Sequence, residues 1–438
     1  MFSMILKYFY HDGRLYNKSY YIKMKQLSRF FLAFTIITVF NSPLFSQSTP
    51  NLQSGNWRGE LLRNDFQKIN FNFDLEKAAA STYLIQIISS ENTLNVDEIR
   101  QFNDSLIIKL PYFDSEIRAK IIHSKLLEGK YIKHFADSST SIAFKAVAGI
   151  PKLSLPAKPV INMTGTWELD FSYGKSSMPA IGEFLQDSDG KVSGSILTPY
   201  GDYRFLSGTL TGTDLTLNVF DGGFAAVFKA KVNADKTISN GKMYNGAYIT
   251  ESFKGKFNPD ANLPDSFFNT QVLPGKSSFS FKFKDTDGNL VSLSDEKYKN
   301  KVVVVQILGS WCPNCLDETA YLNEYYKANK HKGIEIVGLA YERTGDYNKS
   351  VKALMPFRTR LKVEYPFLIT EVAASDPYRT EKTIPEINKL SVFPTTFFVD
   401  KKGNIAKIHT GYNGPATGKH YDQFMKEFEN TINTLLAR

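Results

Sequence analysis

Sliding the chain against itself by about 110 positions brings one stretch into line with another. Gly55-Asn56-Trp57 falls on Gly165-Thr166-Trp167, and Asp104-Ser105-Leu106-Ile107-Ile108 on Thr213-Asp214-Leu215-Thr216-Leu217. Gly129-Lys130 falls on Gly241-Lys242, and Ser141-Ile142-Ala143-Phe144-Lys145 runs against Glu251-Ser252-Phe253-Lys254. A repeat of this length restricts the region to two copies of one unit. Apolar and polar residues alternate along Ser105–Leu110, Leu215–Val219 and Phe224–Lys231, the period of a half-buried strand. Asp189-Gly190 and Asn245-Gly246 suit tight hairpins. Each copy has room for roughly eight short strands, enough to curl into an up-and-down barrel with its Gly-x-Trp tryptophan plugging one end. The expected division is residues 47–150 for copy 1 and 151–260 for copy 2, with Pro151, Pro156 and Pro159 between them.

A second proline-bearing strip, residues 261–276, separates these copies from a different pattern in 277–438. There a strand over Ser278–Lys284 and the Asp287-Gly288 turn lead to the apolar run Val302–Leu308. A helix is expected from Cys312, a second buried strand over Ile334–Leu339, and a hairpin of Thr395–Val399 with Ile405–His409 around Lys402-Gly403. Phe424, Phe428, Ile432 and Leu435 then recur at helical spacing in a closing helix over Tyr421–Leu436. Strands alternating with helices predict an α/β domain, a mixed sheet with helices on both faces.

The apolar residues, with 34 Phe and 23 Tyr, are those of a folded chain rich in strands. Its net charge of +9 falls to +4 once residues 1–46 are set aside, because six Lys/Arg and one acid lie there. The remaining charge is dispersed, and this excludes a basic nucleic-acid-binding block. Within 1–46, Lys25 and Arg29 precede the apolar run Phe30–Phe40, and Ser46 offers a small residue for cleavage. This is the pattern of an export signal starting at Met24.

Only two cysteines occur, Cys312 and Cys315. Chance would space two cysteines this way about one time in 200, and so short a loop cannot staple a fold. At the start of a helix, unpaired backbone N–H groups favour a thiolate, which marks Cys312 as the attacking sulfur. Pro313 fits the first turn, and Cys315 lies one turn inward, placed to resolve a mixed disulfide. No third cysteine completes a zinc site, and Leu316 stands where covalent haem attachment requires histidine.

These residues resemble the TlpA/ResA-like family of exported thioredoxin-fold protein-disulfide reductases, over about 272–438. The resemblance is carried by Gly309-Ser310-Trp311-Cys312-Pro313-Asn314-Cys315, by Glu318, and by Val392-Phe393-Pro394-Thr395-Thr396-Phe397-Phe398-Val399-Asp400 with Lys402-Gly403. It implies a thioredoxin fold, a cis proline at Pro394 facing the redox pair, and a proton-accepting role for Glu318. A substrate groove would run past Trp311, Pro313, Asn314, Phe393 and Thr395. Gln306 stands where thioredoxins proper carry a buried acid, and Leu308 where the family is often aromatic.

The chain is thus expected to be an enzyme, a thiol-disulfide oxidoreductase of the periplasm or cell envelope, needing no metal, haem or nucleotide. Its expected partners are exported disulfide-containing proteins and a membrane or envelope thiol donor. Two other readings stay open: a β-region that binds a ligand or protein with the redox domain as accessory, and an oxidase or isomerase of the same fold. Tyr378, Arg379 and Lys382 either rim the groove or are plain surface, and His409 and His420 are expected to be structural.

Overall fold

The computed structural model describes residues 51–438 apart from 80–81, 91, 150–156, 175 and 265–269. The expected export segment 1–46, Pro151 and Pro156 lie outside the described residues. In copy 1, alternation sends Tyr83, Ile85 and Ile87 inward from the strand Thr82–Ser89, and Ile142, Phe144 and Ala146 inward from Ser139–Ala148. Nine antiparallel strands follow, with Gly55–Leu62 between Lys68–Ala79 and Ser139–Ala148. The two edge strands, Asn92–Val96 and Ile99–Phe102, are neighbours in the chain but share no ladder.

Copy 2 repeats the plan and closes it. Gly165–Tyr173 lies between Ser176–Gln186 and Ile249–Phe257, and Ser176–Gln186 also pairs with Lys191–Thr198. The ring therefore has no edge except the two-residue strand Gly201–Asp202 appended to it. Trp57 and Trp167 are both fully buried, and each indole N–H donates at 2.9 Å to the carbonyl four residues earlier, Gln53 or Met163. All-β, barrel-like and duplicated, the region is as the repeat predicts.

The copies share a core. Phe220, Ala225 and Val227 of copy 2 belong to copy 1's hydrophobic cluster, with Phe220 4.2 Å from Phe71 between ring centroids. Between them the Asp221-Gly222-Gly223 turn accepts hydrogen bonds at Gly222 O from Ser115 and Tyr131. Gly222 has φ +88, and a Cβ on Gly223 would lie 2.6 Å from the Phe113 ring, so this turn needs glycine.

The C-terminal sheet is built from β1 (Lys282–Asp285), β2 (Leu290–Ser292), β3 (Val302–Leu308), β4 (Ile334–Ala340), β5 (Phe367–Ile369), β6 (Thr395–Val399) and β7 (Ile405–Thr410). Their order is β2-β1-β5-β4-β3-β6-β7, with β3, β4 and β5 parallel and the rest antiparallel. Every residue of β3 and β4 is buried, as strands covered on both faces require. The helices are α1 (Pro313–Asn329), α2 (Tyr347–Arg360), α3 (Arg379–Thr383) and α4 (Lys419–Ala437).

Coverage of the sheet is lopsided. The three long helices α1, α2 and α4 pack with Val302, Val304, Ile336 and Phe398 on one face. The other face is closed by Phe279, Phe281 and Tyr298 and by Ile384, Ile387 and Leu390 after the short α3. Strand β1 starts at Lys282 rather than Ser278, because Phe279 and Phe281 are spent on packing; Phe279 meets Phe397 edge-on at 5.1 Å. On α4, Phe424, Phe428, Ile432 and Leu435 are buried, each contributing about 1.5–3 kcal/mol. Residues Thr49–Arg438 form one compact unit.

Candidate active site

Buried strand β3 delivers the chain to Gly309, and α1 begins four residues later, which puts the Trp311–Cys315 turn at the edge of the sheet. Cys312 caps α1: its Sγ accepts from Cys315 N at 3.2 Å and lies 3.6 Å from Phe393 O. Both cysteines are free thiols; Cys312 is 6% exposed and Cys315 fully buried. Burial, then the hydrogen bond and charge of Cys312, hold the Cys315 thiol well above its ordinary range. The Phe393–Pro394 bond is cis. Trp311 donates from its indole to Tyr341 O at 2.9 Å and tilts against Phe393 at 5.1 Å.

Glu318 faces inward rather than into solvent. Its Oε1 accepts from Thr396 Oγ1 at 2.7 Å and its Oε2 from Gln306 Nε2 at 2.8 Å. Complete burial outweighs both hydrogen bonds and pushes the carboxyl up to about 7. Gln306 is itself oriented, accepting at Oε1 from Thr319 at 3.1 Å and Tyr365 at 3.2 Å. The amide that replaces an acid on β3 therefore serves to hold the acid on α1.

Of the expected groove residues, Trp311, Pro313, Asn314 and Phe393 are part-exposed around the buried Cys312 and Pro394. Thr395 is not among them: it is fully buried, with Oγ1 donating to Val392 O at 2.8 Å, because β6 turns it into the sheet. Arg379 braces the loop before Pro394, donating to Leu390 O at 2.6 Å and to Ala374 O at 3.1 Å. Tyr378 is exposed, and Lys382 pairs with Asp376 at 2.6 Å. Burial drives His409 down to about 4, and His420 meets Glu183 of copy 2 at 2.8 Å.

Three further features escape sequence reading. Ser310 donates through N and Oγ to the buried Glu342, at 2.8 and 2.6 Å, fixing the residue before Trp311. Arg204 of copy 2 donates to Pro313 O at 2.9 Å and to Asp317 Oδ2 at 2.7 Å, and pairs with Asp221 at 2.7 Å. Asp202 accepts from Gly414 N at 2.6 Å, while Gly201 stands where a Cβ would come 1.9 Å from Asn314 Nδ2. Burial pushes the Asp317 carboxyl up to about 6 against the pull of Arg204, since Asp202 and Asp221 compete for the same cation.

Residues 273–424 match the Redoxin family. The thiol-disulfide oxidoreductase ResA of Geobacillus kaustophilus is 31% identical over 142 residues, which cover 32% of this chain and 72% of ResA. Its counterpart from Bacillus subtilis is 29% identical over 147 residues, 32% of this chain and 73% of the relative. A solved thiol:disulfide interchange protein from Chlorobium tepidum, 19% identical, aligns with 38% of this chain and 99% of its own at a TM-score of 0.29. A Cys-x-x-Cys turn inside the stretch that matches the Redoxin family, and a ResA relative of which 72% is covered at 31% identity, place the chain among the ResA-like thiol-disulfide oxidoreductases.

Proposed function

We propose that the chain is an exported protein-disulfide reductase whose dithiol is Cys312/Cys315. Cys312, as thiolate, attacks one sulfur of a substrate disulfide, forming a mixed disulfide and releasing the other sulfur as a thiol. Cys315 then gives its proton to Glu318 and attacks Cys312 Sγ, which releases the second substrate thiol and leaves a Cys312–Cys315 disulfide. Two electrons pass to the substrate. An envelope thiol donor returns two electrons and two protons before the next turnover.

The observation that carries this reading is Glu318, a fully buried carboxyl at about 7 held by Thr396 and Gln306 and acting electrostatically on Cys315. A base that close to neutral pH suits the step that closes the enzyme disulfide. Pro394 and Phe393 supply backbone beside Cys312 for an extended substrate segment, with Trp311, Pro313 and Asn314 around it. Residues 47–150, 151–260 and 277–438 act as two β-modules and the redox domain. The basic start and apolar run after Met24 support export to the periplasm or envelope, where a chain with a single cysteine pair is at home.

Cys315→Ser removes the resolving sulfur and is expected to accumulate reductant-sensitive mixed disulfides through Cys312, while Cys312→Ser traps none because Cys315 is buried. Equal trapping by both variants overturns the assignment of roles. The direction is read from the reduction potential of the pair: below about −200 mV supports a reductase, and a value near −120 mV an oxidase.

A further inference from the structure

A cleft of about 680 Å³ opens between copy 1 and the redox domain, within the range of ligand sites. Its redox-domain wall includes Ser310 and Trp311, the two residues before Cys312, and Arg343, whose guanidinium lies over the Trp311 ring at 5.5 Å and the Phe135 ring of copy 1 at 4.6 Å. The cleft therefore reaches Trp311, the residue that precedes the attacking Cys312.

Its charge is unbalanced. Two lining arginines are already neutralised, Arg118 by Glu116 and Arg360 by Asp97 and Glu98. Lys109, Lys133, Arg343, Lys349 and Lys352 also line the cleft and take part in no ion pair among the described residues, against the two remaining lining acids, Asp114 and Glu342, whose charges act on Arg343. Lys133 donates to Gly223 O, and burial and the neighbouring Arg343 press it down to about 8 against the pull of Asp221. Trp311, Tyr112 and Phe135 supply apolar surface between these charges. The cleft fits an acidic chain.

We propose that this cleft is a docking site for the protein substrate, taking an acidic segment next to the cysteine whose disulfide meets Cys312. It rests on the dithiol reading given above and assigns the β-region its part in it: copy 1 provides Lys109, Lys133 and Phe135, which the redox domain alone lacks.

The test uses the full chain and two disulfide peptides differing only in four residues beside the cysteine, Asp/Glu in one and Lys in the other. The acidic peptide is expected to have a kcat/KM at least tenfold higher, carried by KM, with the advantage shrinking between 50 and 500 mM salt. The double variant Lys349→Glu/Lys352→Glu, altered on the exposed side of α2, should reverse the preference, and Lys349→Arg/Lys352→Arg should keep it. A labelled cysteine-free acidic peptide should bind the wild-type chain and lose at least tenfold in affinity for the Glu variant. Turnover of both peptides with no charge preference overturns this proposal alone. No turnover of either overturns the dithiol reading and this proposal with it. Displacement of the labelled peptide by a single-stranded oligonucleotide at lower concentration than by the unlabelled peptide overturns peptide as the occupant.

Discussion

The second β-copy grips the redox helix with buried charge, whereas the first meets the same domain through aromatic rings and exposed ion pairs. Copy 2 sends Arg204 into the first turn of α1 and Asp202 to the backbone of Gly414, and its Glu183 meets Lys419 and His420 at the start of α4. Copy 1 offers Tyr112, edge-on to Phe357 at 6.1 Å, Phe113 in the redox-domain core, and Asp97 and Glu98 to Arg360. One repeat unit has thus been put to two uses. The closed ring acts as a fastener, and the ring with an unpaired seam leaves a cleft.

Arg204→Ala should break this contrast most. It removes the cation that Asp317, Asp202 and Asp221 share, and breaking one side of a buried pair costs about 3–5 kcal/mol. The pH dependence has a definite sign. Asp317 titrates higher in the folded chain than in the unfolded one, so the folded state binds more protons and stability falls as pH rises from about 4 to about 6. Without Arg204 the carboxyl rises further, and the loss should extend to higher pH. Urea midpoints measured at pH 5 and pH 8 give the comparison. A midpoint shift at pH 8 no larger than that of a surface variant would mean that copy 2 is not the fastener.

Glu318 sharpens the same comparison, because it follows Asp317 in α1 and yet points to β3 and β6 rather than to copy 2. Glu318→Gln should slow resolution about 100-fold or more in single-turnover reduction, and should abolish the rise in rate expected as pH passes through about 7. Stability should move the opposite way. The raised carboxyl costs the folded chain stability between about pH 4.5 and 7, so relative to wild type the variant should gain up to about 3 kcal/mol on going from pH 5 to pH 8. Asp317→Asn, by contrast, should keep the pH-dependent rate, since Asp317 faces Arg204 and not the sheet. An equal loss of rate in both variants would mean that this part of α1 acts as one unit and that copy 2 tunes the chemistry.

Local pattern decided what could be read in advance. The seven-residue apolar run of β3, the β6–β7 hairpin, the spacing of Phe424, Phe428, Ile432 and Leu435, and the two Gly-x-Trp openings are each legible within a few residues. The side of the sheet taken by α2 was not legible, because it depends on the extra parallel strand β5 and the crossover that reaches it. Arg204 and Asp317 are 113 residues apart, and Ser310 and Glu342 32 apart, so only docking brings them together. Thr395 was misplaced because β6 is covered on both faces: all five of its residues are buried, so the residue after Pro394 is already inside the sheet.

The smallest expected effect comes from the copy 1 side. Arg360 Nη2 lies 2.7 Å from Asp97 and 2.9 Å from Glu98, and both acids are more than half exposed. Water screens such a pair and two side chains lose rotamer freedom to make it, so Arg360→Ala should cost only about 0–1 kcal/mol, less at high salt. The apolar contacts of Tyr112 and Phe113 stay in place and keep copy 1 seated. Against Arg204→Ala, the two unfolding free energies from urea titration should therefore differ by about 2 kcal/mol or more when both variants are measured at pH 8 in 50 mM salt. Equal shifts would make the two copies equivalent fasteners of the redox domain.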